Sequence, residues 1–215
     1  MKDGGVKPKL LFTKDYRMVS KGVTGSGAHV FHIPFKSINK SMILKLTPIY
    51  MADNVDFEHE QKIYDIVSEF VSRYISPCVL KNFYITNNFL TSTDLPSSVL
   101  KAIGGNELSM YHALCLETYG NQMKTLRSHK NSDWTIRQTK SILFQLLYTL
   151  QCFLDCGLIQ NDLHHENIFI EELKLQGNYY KEFIYNKKSY YIPVNGYHAK
   201  IFDFDRALSL KSNAK

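Results

Sequence analysis

The residues that most narrow the possible folds of this chain run from Thr135 to Ile170. Ile136, Leu143, Leu146, Leu147, Leu150, Phe153 and Leu154 recur at helical spacing and predict a long helix with a broad apolar face. Thr135 and Gln138 stand at the two ends of a capping-box pattern at its start, and Gly157 follows its last turn as a stop. The helix delivers the chain into a polar segment, Gln160 to Asn167, and apolar Ile168-Phe169-Ile170 then reads as a strand. Helix, polar loop and strand in immediate succession make this a chain of mixed helices and strands.

The polar segment reads Gln160-Asn161-Asp162-Leu163-His164-His165-Glu166-Asn167, and a second piece answers it downstream, Ala199-Lys200-Ile201-Phe202-Asp203-Phe204-Asp205. Between them they supply a carboxylate, Asp162, to receive a proton. They also supply an amide, Asn167, and a second carboxylate, Asp203, able to hold a divalent cation. Phosphoryl transfer from ATP requires that grouping.

The earlier part of the chain supplies further pieces. Leu10-Leu11-Phe12 reads as a short strand or a packing tail. Residues 21–33 place Gly22, Gly25 and Gly27 between β-type residues, as in a strand–turn–strand whose backbone approaches a ligand closely, although a glycine-rich hairpin without a ligand has the same composition. Ser41 to Leu46 is a β-type run enclosing Lys45, which alone would be an edge or solvent-facing residue. Residues 53–74 predict an amphipathic helix through Ile63, Ile66, Val67, Phe70, Val71 and Tyr74. Glu60 sits at the edge of its apolar stripe, placed either to reach a neighbouring lysine or to stay solvated. Residues 78–86 read as a strand, 87–110 as a polar surface insertion enclosing a short helix-like piece from Ser97 to Ile103, and 112–117 as a buried strand that breaks at 118–121. An aromatic and basic segment, 179–193, separates the strand at Ile168 from the returning strand at Lys200.

Composition excludes some classes. No run is long and apolar enough for a membrane helix, and residues 1–9 lack the apolar stretch of a secretory signal. Cys78, Cys115, Cys152 and Cys156 show no zinc spacing, and the last two fall on the long helix, where packing is the expected role. A net charge of +6 favours acidic partners, but the lysines are scattered and outline no nucleic-acid groove; nucleotide phosphates or an acidic substrate explain the sign equally well.

The order of these pieces resembles the protein kinase-like superfamily from about Val19 to Leu208. Val30 and Lys45 are spaced like the strand valine and ATP-gripping lysine of protein kinases. Glu60, Ile63 and Tyr64 look like the helix-C glutamate and the apolar residues after it. Leu116-Glu117 is similar to the gatekeeper and first hinge position. Asp162 to Asn167 matches the catalytic loop, and Asp203-Phe204-Asp205 the metal-binding segment. The Asp-Leu-His-x-x-Asn form is similar to haspin-type kinases, kinases of large DNA viruses, and choline and aminoglycoside kinases. The run from Phe202 to Ala207 inclines toward the viral protein kinases.

The resemblance implies a bilobal α+β fold, with residues 1–117 as an antiparallel-sheet N-lobe carrying helix C and 118–215 as a truncated helical C-lobe. It implies an ATP-dependent Ser/Thr protein kinase using Mg2+, intracellular, in the cytoplasm (that of an infected host cell included) or in the virion, with ATP and a protein substrate as partners and no specific nucleic acid or membrane. Asp162 would accept the proton of the attacking hydroxyl. Asn167 and Asp203 would hold the metal. Lys45 would grip the phosphates, held by Glu60, and backbone at Gly25, Gly27 and Ala28 would cover them. Adenine would lie against Val30 and Ile43 behind Leu116, with hinge hydrogen bonds from backbone at Glu117 to Tyr119.

Departures qualify that picture. Gln160-Asn161 replaces His-Arg, so no switch through a phosphorylated activation loop is expected. His164 stands where Ser/Thr kinases carry a lysine near the γ-phosphate. Ala28 replaces a glycine, Ile43 a smaller residue beside adenine, and Asp205 the last glycine of Asp-Phe-Gly, as a second acid near the metal or a stiffener of the turn. The chain ends at Lys215 without the helices that hold a peptide substrate. Two alternatives therefore stand beside the protein kinase: a pseudokinase acting as a binding or scaffold module, and a small-molecule kinase.

Overall fold

The structure, a computed structural model, describes residues 16–21, 28–35, 40–49, 54–73, 75–82, 89–104, 110–119, 123–129, 133–173 and 179–210. It is mixed α+β with antiparallel sheets and three helices among the described residues, an architecture compatible with a kinase-like fold. Residues 1–58 and 82–121 form one unit, and 59–81 and 122–215 a second. The short strand expected at Leu10 to Phe12 lies outside the described residues.

The first unit is built on a sheet of β1 (Arg17–Lys21), β2 (His29–Phe35), β3 (Lys40–Pro48), β4 (Lys81–Asn82), β5 (Phe89–Thr91) and β6 (Met110–Tyr119), in the order β1-β2-β3-β6-β4 with β5 also pairing β6. The pairs β1–β2, β2–β3, β3–β6 and β5–β6 are antiparallel. Side chains alternate across a strand, so Phe31, Ile33, Met42, Leu44, Leu46, Tyr111, Ala113 and Cys115 share one face and a common core. Leu90, Leu95, Val99 and Ile103 enter that same core.

This corrects the reading of 87–110 as a surface insertion. The described part carries β5 and a second helix, α2 (Ser97–Ile103), whose apolar residues cover the sheet. The helix-like piece expected at Ser97 to Ile103 is this helix, and its two buried positions, Val99 and Ile103, are what the polar composition concealed. The expected break at 118–121 also begins later, because β6 continues through Tyr119 in register with β3 out to Lys40.

The first helix, α1 (Asn54–Ser72), begins in this unit and continues in the second. Its inward face is Phe57, Glu60, Ile63, Tyr64, Val67 and Phe70, whereas Ile66, expected on the apolar stripe, is 40% exposed. The second unit adds β7 (Met123–Thr125), α3 (Ile136–Asp155), β8 (Leu158–Ile159), β9 (Ile168–Glu172), β10 (Tyr180–Tyr185), β11 (Lys188–Pro193), β12 (Tyr197–Ile201) and β13 (Leu208–Ser209). Strands β7, β9 and β12 form one sheet with β9 central, β8 pairs β13, and β10–β11 is a separate hairpin.

The start and end of α3 follow the sequence. Thr135 Oγ1 accepts the Gln138 N–H while Gln138 Oε1 accepts the Thr135 N–H at 2.8 Å, and Gly157 adopts a φ of 74° after the last turn. Its facing does not. Of the residues expected on the apolar face, Ile136 is 74% exposed, Leu147 65%, Leu154 57% and Leu143 52%, while Ser141, Gln145 and Thr149 are buried. The reason is the buried outer edge of β12, where backbone groups without a neighbouring strand need partners. Gln145 Oε1 accepts the Ala199 N–H at 2.9 Å, and its Nε2 donates to the Tyr197 carbonyl at 3.1 Å. Ser141 Oγ donates to the Pro193 carbonyl at 2.8 Å. Polar side chains turned inward here close a sheet edge that leucines would leave unsatisfied.

Candidate active site

In the second unit, two strand pairs bracket two loops. Strand β8 leads into residues 160–167, which run on into β9; β12 leads into residues 202–207, which run on into β13. Because β9 pairs β12 through Ile168↔Ile201 and β8 pairs β13 through Ile159↔Leu208, both loops are fixed side by side at each end. The Asn167 carbonyl accepts the Phe202 N–H at 3.0 Å, which joins them between the strands. The structure thereby brings together Asp162, His164, Asn167 and Asp203.

Asp162 is partly exposed, its side chain 30% accessible, with His164 Nε2 at 3.8 Å from Oδ2 and Arg206 Nη1 at 3.9 Å from Oδ1. His164 Nδ1 accepts the Glu166 N–H at 3.1 Å, so in the neutral ring the proton sits on Nε2, toward Asp162. Asn167 Nδ2 donates to the Asp162 carbonyl at 3.0 Å. That bond fixes the amide so that its oxygen, a hard donor, is the atom left for a ligand. The outer side of the loop is tied down by the Arg127–Glu166 ion pair and by the Arg127 N–H on the His165 carbonyl.

Asp203 is held by residues that read differently in the sequence. It sits at φ 64°, a left-handed conformation that Asp tolerates better than most side chains. Its N–H donates to the Tyr64 hydroxyl at 3.0 Å, and its carbonyl accepts from Gln160 Nε2 at 2.9 Å. Gln160 Oε1 in turn accepts the Asp162 N–H at 2.8 Å. Tyr64 is fully buried and stands edge-on to Phe204, and burial, with the Glu60 and Asp203 carboxylates nearby, raises its pKa well above the usual tyrosine range. His59 Nε2 donates to the Ala207 carbonyl at 2.6 Å. In the sequence Tyr64 stands out only as an apolar residue after Glu60, and Gln160 only as a departure from the motif. Glu60 itself is 3% exposed, so the solvated alternative for it is excluded.

The remaining predicted residues belong to the first unit. Val30, Ile43, Lys45 and Leu116 lie on the face of the sheet opposite the apolar core, through the pairs Val30↔Lys45 and Ile43↔Leu116. All four are buried, and Lys45 is 2% exposed in a strand with neighbours on both sides, so it is no edge residue. Ala28 directly precedes β2, and the backbone at Glu117 and Tyr119 belongs to β6, opposite Met42 and Lys40. Gly25 and Gly27 lie outside the described residues.

Asn167 and Asp203 offer an amide and a carboxylate oxygen, the hard donors that Mg2+ prefers, so the residues present fit such an ion. Among the described residues no cluster of three or more His, Cys, Asp or Glu has metal-binding geometry. No helix there is long and apolar enough to cross a membrane. A cavity of about 260 Å³ lined by Ile66, Phe70, Ile75, Cys156 and Leu158 contains none of the predicted site residues.

Comparison with known proteins points to kinases. Serine/threonine-protein kinase 1 of African swine fever virus is 33% identical over 73 residues, 34% of this chain and 24% of that protein. A mimivirus protein named as a serine/threonine-protein kinase (Acanthamoeba polyphaga mimivirus) is 38% identical over 78 residues, 34% of this chain and 20% of that protein. The matched chain thus spans about a quarter or less of these relatives' length. No family model matches. The relation supported is kinase-like and viral, and the haspin-type likeness gains nothing from it.

Proposed function

We propose that this chain is the phosphotransferase part of a bilobal Ser/Thr protein kinase, residues 1–117 carrying the nucleotide and 118–215 the two catalytic loops. The observation that carries the reading is the arrangement of Asp162, Asn167 and Asp203 on two loops clamped by shared strand pairs and by hydrogen bonds from each loop to the other's backbone. The similarity to two viral kinases supports it independently.

In this reading Asp162 accepts the proton of a Ser or Thr hydroxyl and orients that oxygen toward the γ-phosphate. Its carboxylate is open to solvent on one side, as a group meeting a protein substrate must be. Lys45 places a cation against the phosphates, and the backbone at Ala28, Gly25 and Gly27 covers them. Val30, Ile43 and Leu116 form an apolar wall for adenine, whose edge bonds to backbone at Glu117 and Tyr119. His164, with its Nε2 proton toward Asp162, steadies that carboxylate. Mg2+, when bound, supplies charge neutralisation on the phosphates, and Asn167 and Asp203 are the residues that hold it.

The test is transfer of labelled γ-phosphate from Mg-ATP to a generic basic protein and, in parallel, to small alcohols, with Asp162→Asn alongside. Transfer to protein that falls roughly 10²–10⁴-fold in the variant is expected. Transfer to small alcohols alone would assign a small-molecule kinase, and Mg-ATP binding without transfer a scaffold. Absence of nucleotide binding by the folded protein would overturn the site.

A further inference from the structure

We infer that Tyr64 and Gln160 are positioning residues that set Asp203 in its metal-binding orientation and register it against Asp162, an inference that rests on the kinase reading of this site. Neither touches the reacting atoms in that reading. Both act on the peptide groups that fix where the two carboxylates point.

Asp203 is pinned from both sides of its own Cα. Its N–H is bonded to Tyr64, from α1, and its carbonyl to Gln160, from the loop after β8. Between those two anchors it holds φ at 64°, a conformation an L-residue with a Cβ leaves unless its surroundings over-determine it. The direction of its carboxylate follows from that φ, because the Cα–Cβ bond turns with the backbone. Both anchors are buried, Tyr64 fully and Gln160 at 3% exposure, so neither bond is exchanged with water at low cost.

Gln160 serves two partners of opposite polarity, which leaves its amide a single orientation. Nε2 must face the Asp203 carbonyl and Oε1 the Asp162 N–H. A carboxylate could not donate, and an amine could not accept. One side chain thereby sets the spacing of the loop that carries the proton acceptor and the loop that carries the metal ligand. Asn167, through the Asp162 carbonyl, extends the same chain of bonds to the second metal ligand. Groups that orient metal ligands in this way commonly change metal affinity or rate about 10–100-fold when removed.

Two near-isosteric variants of the full chain isolate the two bonds. Tyr64→Phe keeps the ring on Phe204 and loses only the hydroxyl; Gln160→Met keeps the volume and loses donor and acceptor. Mn2+ serves as the probe ion, its binding followed by electron paramagnetic resonance in the presence of an ATP analogue. Nucleotide affinity without metal, the rate of phosphate transfer and the exchange rate of the Asp203 amide by NMR are read alongside. Expected in each variant are about 10–100-fold weaker Mn2+ binding, unchanged metal-free nucleotide affinity, a raised KM for metal and faster exchange of the Asp203 amide in Tyr64→Phe.

Folded variants with wild-type Mn2+ affinity and wild-type amide exchange overturn the inference. Loss of Mn2+ binding accompanied by an equal loss of metal-free nucleotide binding also overturns it, because that outcome marks a general structural defect. Should the wild-type chain bind neither nucleotide nor Mn2+, the kinase reading fails instead. The amide exchange of Asp203 then decides the positioning claim alone, and exchange unchanged in Tyr64→Phe rejects it.

Discussion

Leu146 and Leu147 are neighbours on α3, yet Leu146 is 7% exposed and Leu147 65%. A helix turns about 100° per residue, so adjacent leucines can differ entirely in what they contribute. Leu146→Ala removes packed methyl groups and is expected to cost about 2–5 kcal/mol. Leu147→Ala deletes surface that stays in water and is expected to change stability by less than about 0.5 kcal/mol. Urea unfolding of the two variants separates them; equal losses would mean that α3 presents a different face.

The cap of α3 is a second, smaller contribution. Thr135 and Gln138 each accept the other's N–H, so two of the first-turn donors are satisfied by side chains, Thr135 exposed and Gln138 half-buried. Thr135→Ala removes one of these bonds without opening a cavity. The expected loss is about 1 kcal/mol, read as a lower urea midpoint at constant slope. Thr135→Ser, which keeps the hydroxyl, should recover most of it.

The turn joining β10 to β11 has both central residues left-handed, Asn186 at φ 49° and Lys187 at φ 63°. That pair is a type I′ turn, for which Asn-Gly is the favoured sequence. Lys187 carries a Cβ in a region that disfavours one. Lys187→Gly is therefore expected to stabilise the chain by roughly 0.5–1 kcal/mol despite the greater freedom of glycine when unfolded. A fall in the thermal midpoint would mean that the lysine side chain makes a contribution larger than its backbone strain.

What the sequence revealed and what it hid divide along a physical line. The capping box of α3, the glycine that ends it, and the run of strand, helix and loop around Asp162 depend on neighbours in the chain, and these were legible. The facing of α3 was not, because Ser141 and Gln145 are turned inward by backbone groups of Pro193, Tyr197 and Ala199, more than fifty positions away in each pairing. The burial of Lys45 and Glu60 runs against composition, and only the resemblance suggested it. Gln160 read as a loss from a motif. Its role rests on two main-chain atoms, one 43 residues distant, and backbone partners leave no trace in a pattern of side chains. The contribution of 89–104 to the core was hidden by its polar composition, since four buried residues suffice to seat it.

Behind the loops, β9 and β12 set a buried ionisable pair opposite each other, Glu171 and His198. Glu171 Oε2 lies 3.6 Å from His198 Nδ1, and the other ring nitrogen is 3.0 Å from Lys181 Nζ and 3.7 Å from Cys78 Sγ. Burial pushes Glu171 up to about 7 against the pull of Lys200 and Lys181, and drives His198 well below the usual histidine range. Lys181 is lowered by burial to about 8. A carboxylate with a raised native pKa contributes stability that is fully present below its unfolded value, 4.5, and is lost as pH rises through about 7. His198 acts in the opposite sense: its depressed pKa gives stability that is present above 6.5 and lost as pH falls. The wild-type curve sums the two, and Glu171→Gln removes only the first. The variant's stability relative to wild type should accordingly rise by about 2–3 kcal/mol between pH 4.5 and 7, measured as urea midpoints across that range. A difference that stays constant with pH would mean that Glu171 keeps an ordinary carboxylate pKa, paired with Lys181 or Lys200 as an ion throughout.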